Sequence, residues 1–296
     1  MLNIEKTEFN GLDAISLETE AARIVAVSSF GPRIAFAAPS GCDNLLLWEP
    51  EKYTRGAWDL RGGHRVWATR PLADESEDTY ATDNDPCEVT MRDDGVRMMG
   101  AENAMNRTRR GIDISVIDDT HFRIDNILVN AGEMLYSGAV WALTCTIPLD
   151  SAEYAIPVGD GSEWDTFTMV NFRRWGGHGM GGYNDPQIIQ QEDLVRIVPA
   201  GVENKRMLYS QHGIIAMSDP VRDITFAKRI DGKPTGPLGT NMAFYIGPDN
   251  FMVEMETMGS EVTLRPGETI NHTEEWVIKK GATPLSAAPL LVDLFN

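Results

Sequence analysis

Short apolar stretches punctuated by Gly, Pro, Asn and Asp run through most of this chain, and their spacing predicts strands rather than helices. Within residues 2–48 such stretches fall at Asp13–Leu17, Ala22–Val27, Arg33–Ala37 and Leu45–Trp48. They resume at Cys87–Met91, Val96–Met99, Gly111–Ile117, His121–Val129 and Leu135–Thr146. A third group lies at Leu194–Val198, Gly213–Met217, Asp223–Arg229, Asn241–Ile246 and Phe251–Glu256, and Thr269–Ile278 follows the Pro266–Gly267 turn. Strands this short and close predict a sandwich or barrel. Two segments break the pattern. Glu51–Pro86 reads as a long functional loop with the acidic run Asp74–Asp78 as a solvated rim. Residues 159–191 contain the glycine-rich run Arg173–Tyr183 and read as a loop over one end of the sandwich. Only the tail, Pro284–Phe295, is expected to be helical. The class is all-β, with residues 1–296 forming one domain.

Charge and composition narrow the partners. The chain has 296 residues and a formal net charge of −18, which repels polyanions, so neither nucleic acid nor an anionic membrane is expected as a partner. No apolar run approaches membrane-spanning length. Met1–Lys6 lacks the layout of a signal peptide, and the three cysteines Cys42, Cys87 and Cys145 are scattered, so a reducing, cytoplasmic setting is expected. Nothing in the pattern sets the oligomeric state.

Candidate chemistry centres on Glu254 and Glu256. They are two apart in a predicted strand, so both carboxylates leave one face of the sheet. Neighbouring carboxylates raise the pKa of one of them, which suits a base working near neutrality. No compact His-Glu-Xaa-Xaa-His spacing, Gly-Xaa-Ser-Xaa-Gly elbow or phosphate-binding loop is present, so no metal and no cofactor is expected.

Three segments carry a resemblance. Glu254-Met-Glu256 followed by Leu264-Arg-Pro-Gly-Glu268, Ser28-Ser-Phe-Gly-Pro-Arg-Ile34 with Asn44-Leu-Leu-Leu-Trp48, and Arg61-Gly-Gly-His-Arg-Val-Trp67 resemble segments of the galactose-mutarotase-like family, in the family's order. The resemblance implies a β-supersandwich that holds a small-molecule carbohydrate in a cleft on one sheet face. It also implies an aldose 1-epimerase-like isomerase that interconverts sugar anomers by acid and base catalysis. The base would be Glu254 or Glu256. The acid would be His64 or, in the glycine-rich loop, His178. Arg33 and Arg65 would hold the ligand, Trp67 and Trp141, with Trp58 and Trp175, would offer stacking faces, and Lys228 would reach the same face. His121 and His272 read as structural or solvent-exposed, and His212 has no assignment. Two other readings share the fold: a carbohydrate-binding protein without catalysis, and a polysaccharide lyase or glycosidase-type domain.

Overall fold

The computed structural model of the chain describes residues 2–55, 58–69, 84–149, 151–159, 164, 166–172 and 182–296, with the backbone alone at 50–55 and 58–59. Two large antiparallel sheets dominate. The first runs Asn3–Phe9, Leu12–Glu18, Ala22–Val27, Arg33–Pro39, His64–Thr69, Tyr136–Thr146, Val253–Met258, Met242–Ile246, Asn204–Leu208 and Met169–Asn171, with Val262–Leu264 pairing Tyr136–Thr146. The second runs Ile188–Gln190, Leu194–Ile197, Glu153–Pro157, Ile214–Asp219, Ile224–Ile230, Thr269–Lys280, His121–Asn130, Thr108–Val116, Gly95–Glu102 and Glu88–Met91. Alternate side chains of each sheet meet in one core, where Ile34, Val66 and Met255 of the first join Ile124, Phe226 and Ile278 of the second. An all-β sandwich is therefore the observed fold.

The middle of the first sheet is buried on both faces. Every residue of His64–Thr69 and of Val253–Met258 is buried, whereas every residue of the edge strand Asn3–Phe9 is exposed or half-buried. Double burial removes the apolar–polar alternation that marks a strand in sequence. At His64–Thr69 this accompanies a correction: the segment expected as one long loop from Glu51 contains the strands Trp58–Gly62 and His64–Thr69 and most of Trp48–Arg55. The acidic run 74–78 lies outside the described residues.

Other boundaries also differ. Asn3–Phe9, Glu153–Pro157 and Asn204–Leu208 are strands that the pattern did not mark, and Met169–Asn171 and Ile188–Gln190 lie inside the second expected loop. Leu45–Trp48 is mostly irregular, with Leu46 in an isolated bridge to Thr146. The tail forms the helix Ala288–Val292 and a 3-10 turn at Asp293–Phe295. Leu291, Leu294 and Phe295 dock on Ile214, Ala227 and Val277, on the outer face of the second sheet.

Gly62 and Gly63 turn the chain into the His64–Thr69 strand. Their φ angles are +76° and +70°, and an added Cβ would lie 2.1 Å from the Leu47 carbonyl oxygen and 2.3 Å from that of Ile34. Only glycine fits this bend.

Candidate functional site

Cross-strand register assembles a polar row on the face of the first sheet that points away from the core. Arg33 lies opposite Arg65, Arg65 opposite Leu143, and Leu143 opposite Glu256. One row on, Glu254 lies opposite Cys145 and Tyr245, and Tyr245 opposite Lys205. Directly paired residues share a face, so Arg33, Arg65, Glu254, Glu256 and Lys205 belong to one surface. Trp67 and Trp141, also paired, extend it, with their rings edge to face at 5.7 Å.

The two glutamates have different partners. Arg65 Nη2 donates to Glu254 Oε1 at 2.9 Å, and the Cys145 thiol lies 3.5 Å from the same oxygen. Arg65 Nη1 also meets Cys145 Sγ at 3.1 Å, and its guanidinium sits 4.4 Å from the Trp67 ring centre. Trp141 Nε1 donates to Glu256 Oε2 at 2.7 Å, and Lys205 Nζ donates to Glu256 Oε1. Lys205 Nζ also lies 5.1 Å from the centre of the Trp141 ring.

These partners separate the carboxyls electrostatically. Burial pushes Glu254 upward, but Arg65 and then Lys205 outweigh it and hold the carboxyl below its ordinary value. Glu256 moves the other way, to about 7: burial dominates, Lys205 opposes it, and the charge of Glu254 adds to the rise. Burial also pushes the Cys145 thiol up to about 12, so it remains protonated.

His64 is not on this face. It neighbours Arg65 on the strand and points to the opposite side, between the sheets, where it is fully buried. Its Nδ1 is 2.8 Å from Thr144 Oγ1, its Nε2 is 2.8 Å from Asn126 Oδ1, and its ring meets Trp276 edge-on at 4.9 Å. Burial lowers its pKa to about 4, which leaves it neutral at physiological pH.

Lys228 also lies between the sheets rather than on the glutamate face. Its Nζ donates to Glu274 Oε1 at 2.7 Å, to Thr144 Oγ1 at 3.0 Å and to the Met255 carbonyl at 3.0 Å. Asn126 Nδ2 donates to the His272 carbonyl, so its Oδ1 accepts from His64 Nε2, and the neutral ring accepts at Nδ1 from the Thr144 hydroxyl, whose oxygen takes the Lys228 hydrogen bond. Glu274 further accepts from Trp276 Nε1 at 2.9 Å and from Thr257 Oγ1, whose oxygen lies 2.7 Å from His272 Nε2. Lys228 and Glu274 thus form a buried ion pair inside a hydrogen-bonded network directly behind the glutamate strand.

The structure therefore brings together Glu254, Glu256, Arg33, Arg65, Trp67 and Trp141 from the residues singled out in sequence, and separates His64 and Lys228 from them. Arg33 is fully buried and donates from Nη1 to the Gly62 carbonyl at 2.9 Å. His178, Trp175 and the Trp58 side chain lie outside the described residues. His121 bonds Asp118 Oδ1 at 2.9 Å and the Leu294 carbonyl at 3.2 Å, far from this row in the fold. His212 Nε2 lies 3.2 Å from the Gly159 carbonyl oxygen. Sequence reasoning missed Lys205, Cys145 and Tyr245. The available signal for Lys205 was its spacing of two from Met207, which places both on one face of a strand. Among the described residues no group of three or more His, Cys, Asp and Glu side chains gathers as a metal site, and no helix is long and apolar enough to cross a membrane.

No protein-family model and no curated protein matches the sequence. Solved structures do match. A candidate aldose 1-epimerase from Escherichia coli K12 superposes with a TM-score of 0.63 at 10% identity, over 95% of this chain and 100% of that one. A galactose mutarotase-like protein from Lactobacillus casei ATCC 334 gives 0.61 at 11% identity, over 89% and 99%. A TPR-domain containing protein from Parabacteroides distasonis ATCC 8503 gives 0.62 at 15% identity over 93% of this chain, which spans only 48% of that longer protein. At such identities the likeness is one of fold, and in fold this chain is a galactose mutarotase-like β-sandwich.

Proposed function

We propose that the face carrying Glu254 and Glu256 binds the pyranose ring of a small carbohydrate and interconverts its anomers, an aldose 1-epimerase-like reaction. The observation that carries this reading is the separation of two adjacent buried carboxyls into one held ionised by Arg65 and one raised to about 7. Unequal environments of this kind assign different roles to paired acids. Glu256, titrating near neutrality, suits the base that takes the anomeric hydroxyl proton; Glu254, fixed by Arg65, suits a hydrogen-bond acceptor that orients a sugar hydroxyl. Removal of that proton accompanies cleavage of the bond from C1 to the ring oxygen. The open aldehyde then rotates about C1–C2 and closes on its other face. Trp67 and Trp141 supply apolar area of fixed geometry for the ring, while Arg33 and Arg65 supply donors.

Exchange NMR or polarimetry across neutral hexoses, a hexuronic acid and a hexose 6-phosphate tests the reading. Acceleration of at least one sugar by the wild-type protein, abolished in Glu256→Gln, is the expected result. Binding by calorimetry with no acceleration of any of them would replace the reading with a carbohydrate-binding role.

A further inference from the structure

We infer that Lys205 is the proton donor to the ring oxygen, and that with Glu256 it forms a single bifunctional catalyst. This rests on the epimerase reading and names the acid, the part of that chemistry which sequence reasoning gave to histidine.

Anomeric and ring oxygens are bonded to the same carbon, so acid and base must stand side by side. Lys205 Nζ is hydrogen-bonded to Glu256 Oε1, and both side chains are almost fully buried on the site face. Arg33 and Arg65, the other cations among the described residues of that row, are guanidinium groups, which keep their protons in proteins. The histidines His64 and His272 are committed to the network between the sheets, and His121 and His212 bond to Asp118 and to the Gly159 carbonyl. Among the described residues, Lys205 is therefore the proton-releasing cation bonded to the proposed base. Its strand, Asn204–Leu208, pairs with Met242–Ile246, which pairs with Val253–Met258, so the ammonium is carried on the same sheet that carries the carboxylates.

The proton balance closes within the pair. On opening, the O1–H proton moves to the Glu256 carboxylate, the C1–O1 bond becomes a carbonyl, the C1–O5 bond breaks, and Lys205 gives a proton to O5. The pair passes from carboxylate and ammonium to carboxylic acid and amine, with its total charge unchanged at zero. On closure O5 attacks C1 from the other face, returns its proton to Lys205, and O1 takes the proton held by Glu256. Neither water nor an outside buffer is needed, which fits a buried site.

The test uses Lys205→Met and Lys205→Ala in the full chain, on whichever sugar the wild-type protein accelerates. Both are expected to lose about 100-fold or more in kcat, the usual worth of a general acid, with KM changed far less. Small primary alkylamines are expected to restore part of the Lys205→Ala rate, in proportion set by amine basicity. Near-wild-type kcat in Lys205→Met would overturn the proposal and leave the epimerase reading intact. Loss of rate without amine rescue, in a variant whose near-ultraviolet circular dichroism matches wild type, would overturn it too. A wild-type protein that accelerates no sugar removes the epimerase reading itself, a result seen before any variant is made.

Discussion

His64 and Arg65 are consecutive in the chain and serve opposite sides of one sheet: Arg65 reaches Glu254 at 2.9 Å, while His64 lies 2.8 Å from Asn126 of the facing sheet. One side is the candidate site and the other its support. Substitutions at the two positions should therefore fail differently, in ligand chemistry at Arg65 and in stability at His64.

Activity should follow the ionisation of Glu256. The base works as a carboxylate, so kcat/KM is expected to fall as pH drops below about 7. Because the Glu254 charge helps raise Glu256, Glu254→Gln should move that limb to lower pH. Trp141 donates to Glu256 and favours its charged form, so Trp141→Phe should move the limb to higher pH. A pH–rate profile of each variant reads the sign, and matching shifts in both would overturn the pairing.

The buried pair Lys228–Glu274 should be costly to break and cheap to replace. Either Lys228→Met or Glu274→Gln leaves an uncompensated group in the interior, and about 3–5 kcal/mol of stability is expected to be lost. The double variant Lys228→Met/Glu274→Gln should lose well under the sum of the two. Urea unfolding measures all three, and additivity would show that the pair is not coupled.

Stability should also fall on mild acidification. His64 and His272 both have pKa values lowered to about 4 by burial, against about 6.5 when unfolded. Between those values the unfolded chain binds protons that the folded one excludes, so folding weakens as pH falls from 6.5 towards 4. The loss is on the order of 3 kcal/mol per histidine across that window. Glu274, lowered to about 2, adds its own loss below pH 4.5. Urea midpoints at pH 7.5, 6 and 5 check the trend; a flat series would contradict it.

Gly63→Ala should destabilise the entry to the His64–Thr69 strand. A φ of +70° costs an L-residue about 1–3 kcal/mol, and the new methyl would also sit against the Ile34 carbonyl oxygen. Thermal denaturation reads the loss. An unchanged midpoint would mean that the turn adapts.

Sequence alone was most informative where apolar and polar residues alternate along the strand. Gly111–Ile117 and His121–Val129 fall inside the observed strands Thr108–Val116 and His121–Asn130 to within a few residues. It failed at His64–Thr69 and Asn204–Leu208, which open on consecutive polar residues, His64-Arg65 and Asn204-Lys205-Arg206, so neither looks like an alternating strand. The glutamate pair was readable because alternation depends only on spacing. The side chosen by His64 and Lys228 was not, since that depends on which face of each strand meets the other sheet. Arg65 and Lys205 illustrate the same limit: a buried cation is intelligible only beside the carboxylate that accepts it.

Lys228 ties the backbone at Met255, midway between Glu254 and Glu256, to the opposite sheet. Together with its pairing to Tyr136–Thr146 and Met242–Ile246, this contact fixes the register of the strand Val253–Met258. A slip of one residue in its pairing would turn both carboxylates towards the interior and bring Met255 to the outer face, so its register should tolerate no variation even where its side chains do.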